Sequence, residues 1–127
     1  MDSWLNAVQW DYEGLAPAIA QDASSSEILM MAWMNVEALT LTQKHQRAVY
    51  WSRSRNQLWF KGEESDHFQT LKEIRLDCDS DVILLKVNQI GGIACHTGHR
   101  RCFFRVLYNG QWQVDEQIVK SPEEIYQ

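Results

Sequence analysis

From Ala48 onward the chain is a succession of short apolar stretches separated by turn residues, and that pattern confines it to a sheet-dominated fold. Residues 48–52 and 58–61 flank the polar run Arg53-Ser54-Arg55-Asn56-Gln57, as the arms of a hairpin do. Residues 70–79 alternate apolar and polar side chains, and residues 82–87 are rich in β-branched side chains and almost wholly apolar, as a central strand is. Residues 103–108 and 111–114 are joined by Asn109-Gly110, a pair that tolerates positive φ and marks a tight hairpin. Upstream, residues 15–20 read as a short strand, 22–26 as a turn, and 28–33 as an apolar run of buried-strand length. Asn35 then caps a helix over Val36 to about His45, with Ala38, Leu39 and Thr42 on one face. Ser121-Pro122 starts another helix, with serine as cap and proline in the first turn. The fold class is therefore α+β: a largely antiparallel or mixed β-sheet with one or two short helices.

A chain of 127 residues makes one domain, spanning residues 1–127, with no repeat or Pro/Gly/Ser linker to divide it. Its longest apolar run, residues 28–34, is far short of the roughly 18 residues that a membrane span needs. The N-terminus lacks the basic and apolar regions of a secretory signal, and three cysteines are an odd number for a disulfide scaffold. Both features point to a reducing, cytoplasmic setting. A net charge of −5 argues against a nucleic-acid binder. Positive charge is nevertheless concentrated at Arg53 and Arg55, at Lys61, and at Arg100 and Arg101, a distribution that suits a small anionic ligand such as a phosphate.

The chemistry is concentrated in Leu76-Asp77-Cys78-Asp79-Ser80-Asp81, Cys95-His96-Thr97-Gly98 and Cys102. Thiolates are soft ligands suited to zinc, whereas clustered carboxylates are hard ligands suited to magnesium, calcium or manganese. If the strand at 70–79 continued, Cys78 would share a face with Ile74, Leu76 and Ser80, and Asp77, Asp79 and Asp81 would crowd the other. Such carboxylates repel unless a cation sits among them, the alternative being an exposed acidic edge. The glycine and bidentate glutamate of an EF-hand are missing. Cys78, Cys95 and Cys102 leave a fourth zinc position either to water, as in a catalytic site, or to His96 or His99. An open thiolate site follows the logic of zinc nucleobase deaminases, although their H-x-E and P-C-x-x-C elements are missing. His96 directly follows a ligand, and its ordinary pKa suits proton transfer near neutrality.

Taken together, Met30-Met31-Ala32-Trp33-Met34-Asn35, Tyr50-Trp51-Ser52-Arg53-Ser54-Arg55, Leu58-Trp59, Lys61-Gly62-Glu63, Asp77-Cys78-Asp79, Asp81, Cys95-His96-Thr97-Gly98 and Cys102-Phe103 resemble the phosphoribosyl-AMP cyclohydrolases. The matched blocks run from about residue 25 to 105. The resemblance implies a histidine-biosynthesis hydrolase that opens the N1–C6 bond of phosphoribosyl-AMP to give the formimino-carboxamide ribonucleotide. It implies magnesium on Asp77, Asp79 and Asp81, zinc on Cys78, Cys95 and Cys102, and an intertwined homodimer with each zinc site built from both chains. The fused pyrophosphohydrolase domain of some members is missing, so the monofunctional form is expected. For such a substrate, Ser52, Arg53, Ser54, Arg55 and Lys61 offer donors and positive charge, with Trp51, Glu63 and His99 completing the candidate binding set. Trp51, with Tyr50 and Trp59, equally suits the core. One departure is Asp66, where the family usually carries glycine.

Overall fold

The computed structural model describes residues 2–126. Its main element is a six-stranded sheet in the order β4-β3-β2-β1-β6-β5, built from β1 (Ala16–Asp22), β2 (Ile28–Met34), β3 (Val49–Ser52), β4 (Gln57–Phe60), β5 (Gln69–Leu76) and β6 (Ile83–Gln89). Every pairing is antiparallel except β1 with β6, so the sheet is mixed. Helix α1 (Ser3–Asn6), helix α2 (Val36–His45) and helix α3 (Pro122–Ile125) are all short. No helix among the described residues is long and apolar enough to cross a membrane.

The local signals account for most of this. The Asn35 side chain accepts from the Ala38 N–H at 2.8 Å, and α2 ends on Gln46 in the left-handed region. Ala38, Leu39 and Thr42 form the buried face of α2, and the Thr42 hydroxyl accepts from the Val49 N–H at 2.9 Å, docking the helix on β3. Ala18 and Ala20 on β1 and Leu85 and Val87 on β6 are fully buried beside Leu29, Met34 and Tyr50. Under this core runs a polar chain. The Tyr50 hydroxyl donates to Gln69 Oε1 at 2.6 Å, Gln69 Nε2 to Gln89 Oε1 at 2.9 Å, and Gln89 Nε2 to the His67 carbonyl at 3.0 Å. It ties β3, β5, β6 and the segment after β4 together where apolar packing alone would allow slippage.

Three readings of the sequence change. The strand expected over 70–79 stops at Leu76, and residues 77–81 form a turn. Asp77 causes this: its Oδ1 accepts from the Asp81 N–H at 3.0 Å and the Val82 N–H at 3.1 Å, and Ser80 adopts φ 64°. The acidic residues therefore do not alternate with Cys78 across a strand; all four lie exposed on one turn. The apolar run at 28–34 is not buried throughout, since Ile28 and Met31 face solvent. The Asn109-Gly110 hairpin forms as β7 (Arg105–Tyr108) and β8 (Gln111–Val114), but as a separate two-stranded sheet whose residues are all exposed.

Candidate active site

β6 delivers the chain from the acidic turn at one end of the sheet to the cysteine loop at the other. Beyond β6, Gly91 and Gly92 both take positive φ and let the backbone reverse. The loop closes through Ala94 N–H to the Arg100 carbonyl at 2.9 Å and Cys95 N–H to the His99 carbonyl at 3.2 Å. Cys102 is pinned to the sheet by its N–H donating to the Leu29 carbonyl at 2.7 Å. Arg100 Nε donates to Glu27 Oε1 and Arg101 Nε to Glu116 Oε2, both at 2.6 Å, which fixes the loop from two sides. Gly98, at φ 93°, lies against the C-terminal segment so closely that a Cβ would meet the Lys120 carbonyl oxygen at 1.9 Å.

This framework sets Cys95 and Cys102 side by side, their thiols within hydrogen-bonding reach. Once one proton is lost, the remaining S–H stabilises the thiolate. The first ionisation, assigned to Cys95, is therefore favoured, and the second, at Cys102, is opposed by that hydrogen bond and by the charge already on Cys95, although Cys102 as a residue is exposed. The Thr97 hydroxyl donates to Cys95 Sγ at 3.0 Å and lies 2.7 Å from His99 Nδ1. A hydroxyl has one proton, so with that proton on sulfur, His99 must carry its own on Nδ1 and donate it to Thr97. The His99 ring is buried and stacked on Phe104 at 3.7 Å.

Cys95, Cys102 and the exposed His96 line a cavity of about 660 Å3. The same cavity is lined by Ser52 at the end of β3, Ser54 and Arg55 from the β3–β4 turn, and Lys61, Glu63 and Ser65 from the segment after β4. Of the candidate binding residues, Trp51, Arg53 and His99 do not line it. Trp51 and Arg53 sit at odd positions along β3 and its turn, so strand alternation sends them to a separate, smaller cavity, where Arg53 packs over the Trp33 ring at 4.3 Å. The contacts of His99 run through Thr97 to the cysteine. Lys61 lines the cavity with its ammonium turned to the Ala94 carbonyl. Thr97 was visible in the Cys95-His96-Thr97-Gly98 block but had no assigned role; Tyr126, which also lines the cavity, carried no sequence signal. Asp66 adopts φ 64°, the conformation that a glycine takes without penalty.

The acidic turn presents Asp77, Asp79 and Asp81 with one oxygen from each within 4.8 Å of the others, a donor set that fits a hard divalent cation. Desolvation, and then repulsion from Asp77 and Asp79, raises the Asp81 pKa, as expected for carboxylates converging without a counter-charge. Cys78 does not join Cys95 and Cys102. β5 and β2 stand three strand spacings apart, about 14 Å, with Cys78 beyond the end of β5 and Cys102 held at the opposite end of β2. Among the described residues, no trio of ligand atoms within 4.8 Å includes a cysteine. The thiols fit two positions of a zinc site and lack the third within one chain.

Residues 30–104 match the family model for phosphoribosyl-AMP cyclohydrolase. The chain is 62% identical to a phosphoribosyl-AMP cyclohydrolase of Cellvibrio japonicus over 126 residues, covering 99% of this chain and all of that protein. It is 60% identical to those of Nitrosospira multiformis, over 98% of this chain and 96% of the relative, and Pseudomonas fluorescens, over 99% and 95%.

Proposed function

The chain belongs to the phosphoribosyl-AMP cyclohydrolase family, a family of hydrolases in histidine biosynthesis, and from that premise we propose how its own residues perform the reaction. The substrate is phosphoribosyl-AMP, and water adds at C6 of its adenine ring as the N1–C6 bond breaks. The observation that carries this reading is the single cavity lined by Cys95, Cys102 and His96 together with Ser52, Ser54, Arg55 and Glu63. The hydroxyls and guanidinium suit phosphate oxygens and the carboxylate suits ribose hydroxyls, so the nucleotide is held with its base toward the thiols.

Cys95 and Cys102 hold zinc, with Cys78 of a second chain as the third thiolate. Zinc held by these thiolates would supply Lewis-acid chemistry, lowering the cost of deprotonating a water. His96, exposed to the cavity beside Cys95, takes a proton from the attacking water and delivers one to N1 as the ring bond breaks. Thr97 orients the Cys95 sulfur through its hydroxyl, and His99 fixes that hydroxyl in turn. Asp77, Asp79 and Asp81 hold magnesium. The second chain is a copy of this one, and the apolar β7–β8 hairpin, with Leu107, Trp112 and Val114 more than half exposed, supplies surface for it to cover.

Purified protein incubated with phosphoribosyl-AMP should show the ultraviolet change of ring opening, and no change with metal-loaded protein would refute the reading. The shared site has its own test. Cys78→Ser and Cys95→Ser proteins are each inactive, but refolded together they form hybrids in which one of the two sites is wild type. Statistical mixing then recovers about one quarter of wild-type activity. No recovery would place all three thiols of a site within one chain.

A further inference from the structure

Tyr126 lies beyond residues 30–104, the segment that the family model matches, yet it lines the same cavity as Cys95, His96 and Cys102. Local chemistry puts it there. The N–H groups of Val119 and Lys120 both donate to the Gly98 carbonyl, at 2.7 and 3.4 Å, which seats this segment on the cysteine loop. Ser121 then caps α3: its Oγ accepts from the Glu124 N–H at 3.4 Å and donates to Glu124 Oε1 at 2.9 Å, with Pro122 in the first turn. Ile125 is the buried anchor of the helix, and the Tyr126 N–H closes the last turn on the Pro122 carbonyl at 3.1 Å. The ring therefore reaches the cavity from the side of the cysteine loop.

What it offers there is an uncharged aromatic face and one hydroxyl, and at 46% exposure much of that surface is open. Two other rings line the cavity. Trp59 is committed to the core, to Tyr50 at 5.5 Å between ring centroids, and to the Lys61 ammonium at 5.3 Å. Phe60 belongs to the edge strand β4 and also borders a second cavity, with His45 and Arg47, that no cysteine lines. The hydroxyls, guanidinium and carboxylate of the main cavity answer to phosphate and ribose. The purine is the part of the nucleotide still without a partner, and an aromatic face is the surface on which a base stacks.

We infer that Tyr126 is a substrate-binding residue whose ring stacks on the purine of the bound nucleotide. This rests on the cyclohydrolase reading given above, in which the base lies toward Cys95 and Cys102. Because the Ser121 cap and the Ile125 anchor order α3 from within the chain, the ring loses little freedom on binding.

The test is calorimetric titration of AMP, which carries the purine, one ribose and one phosphate, into wild-type protein, Tyr126→Phe and Tyr126→Leu. The KM for phosphoribosyl-AMP is measured beside it. Phenylalanine removes only the hydroxyl, whereas leucine keeps apolar bulk and removes the aromatic face. The expected result is an AMP Kd and a KM raised about tenfold in Tyr126→Leu and within about twofold of wild type in Tyr126→Phe, as loss of one base–aromatic stack predicts. Thermal melts and zinc content should match wild type in both variants, because Ile125 and not Tyr126 anchors the helix. Wild-type AMP affinity in Tyr126→Leu would overturn the proposal, as would AMP that wild-type protein does not bind. Equal losses in both variants would give the role to the hydroxyl and overturn stacking. A loss of zinc in Tyr126→Leu alongside the loss of AMP would make the ring a support of the cysteine loop instead. Failure of the cyclohydrolase reading looks different: metal-loaded wild-type protein would leave phosphoribosyl-AMP intact, while the AMP titrations would still separate leucine from phenylalanine.

Discussion

Replacing Tyr50 with phenylalanine removes one oxygen atom from a fully buried position and leaves every apolar contact of the ring in place. That oxygen donates at 2.6 Å to Gln69 Oε1, whose amide nitrogen is already committed to Gln89 Oε1. The amide cannot flip to find another donor without breaking that second bond, so Gln69 Oε1 is left buried and unpaired. A buried acceptor stripped of its partner costs about 1–3 kcal/mol. At about 2.1 cal/mol/K of unfolding entropy per residue, 127 residues give about 0.27 kcal/mol/K. The expected fall in Tm is therefore about 4–11 °C, read by differential scanning calorimetry at one fixed protein concentration because the protein is proposed to dimerise. The hydroxyl leaves a hole smaller than a water, so rescue by solvent is not expected. A Tm within a degree of wild type would show that the Gln69–Gln89 pair reorganises freely, and the chain would not then be a brace across the sheet.

Asp66→Gly should leave stability unchanged or raise it by up to about 1 kcal/mol, whereas Asp66→Val should cost about 1–2 kcal/mol, since Asp66 holds φ 64°; thermal melts of the two variants check this, and equal melts would refute the backbone argument. Asp22 is held below the usual carboxylate range, first by the Ser25 N–H, with burial opposing and the Ser25 hydroxyl and Arg100 adding to the effect. A depressed folded pKa means that its stabilisation is complete above about pH 4 and is lost as pH falls through the folded value. Asp22→Asn should therefore flatten the acid limb of a stability profile taken between pH 2 and 6, and an unchanged limb would remove Asp22 from the account.

The hairpins, the capped helix and the strand segments were legible because each rests on local chemistry: Asn35 as cap, Asn109-Gly110 as turn, and the apolar run of residues 82–87 as the strand that became β6. The parallel pairing of β1 with β6 was not, because nothing within either strand encodes its neighbour across 60 residues of chain. Asp77 carried two competing signals, strand alternation and an Asx turn, and the turn won because its side chain satisfies two backbone N–H groups at once. At the site, sequence could assemble the candidate residues but not sort them. The split between Ser52 and Ser54 on one side and Trp51 and Arg53 on the other follows from alternation once β3 is accepted. The inward turn of Lys61 depends on Ala94, 33 residues away, and no local rule reaches that far.

The contact of Gly98 with Lys120 has a consequence for residues that touch no ligand. Val119 N–H donates to the Gly98 carbonyl at 2.7 Å, so segment 118–120 is the mould against which the cysteine loop is cast. Any side chain at position 98 would have to expel the Lys120 carbonyl, and any shift of that carbonyl would free the loop between Cys95 and Cys102. The two segments can therefore change only in concert. A single protease cut near Ile118 would strip that mould from the loop while leaving its bonds to Leu29 and Glu27 in place, so the loop would loosen at Gly98 first.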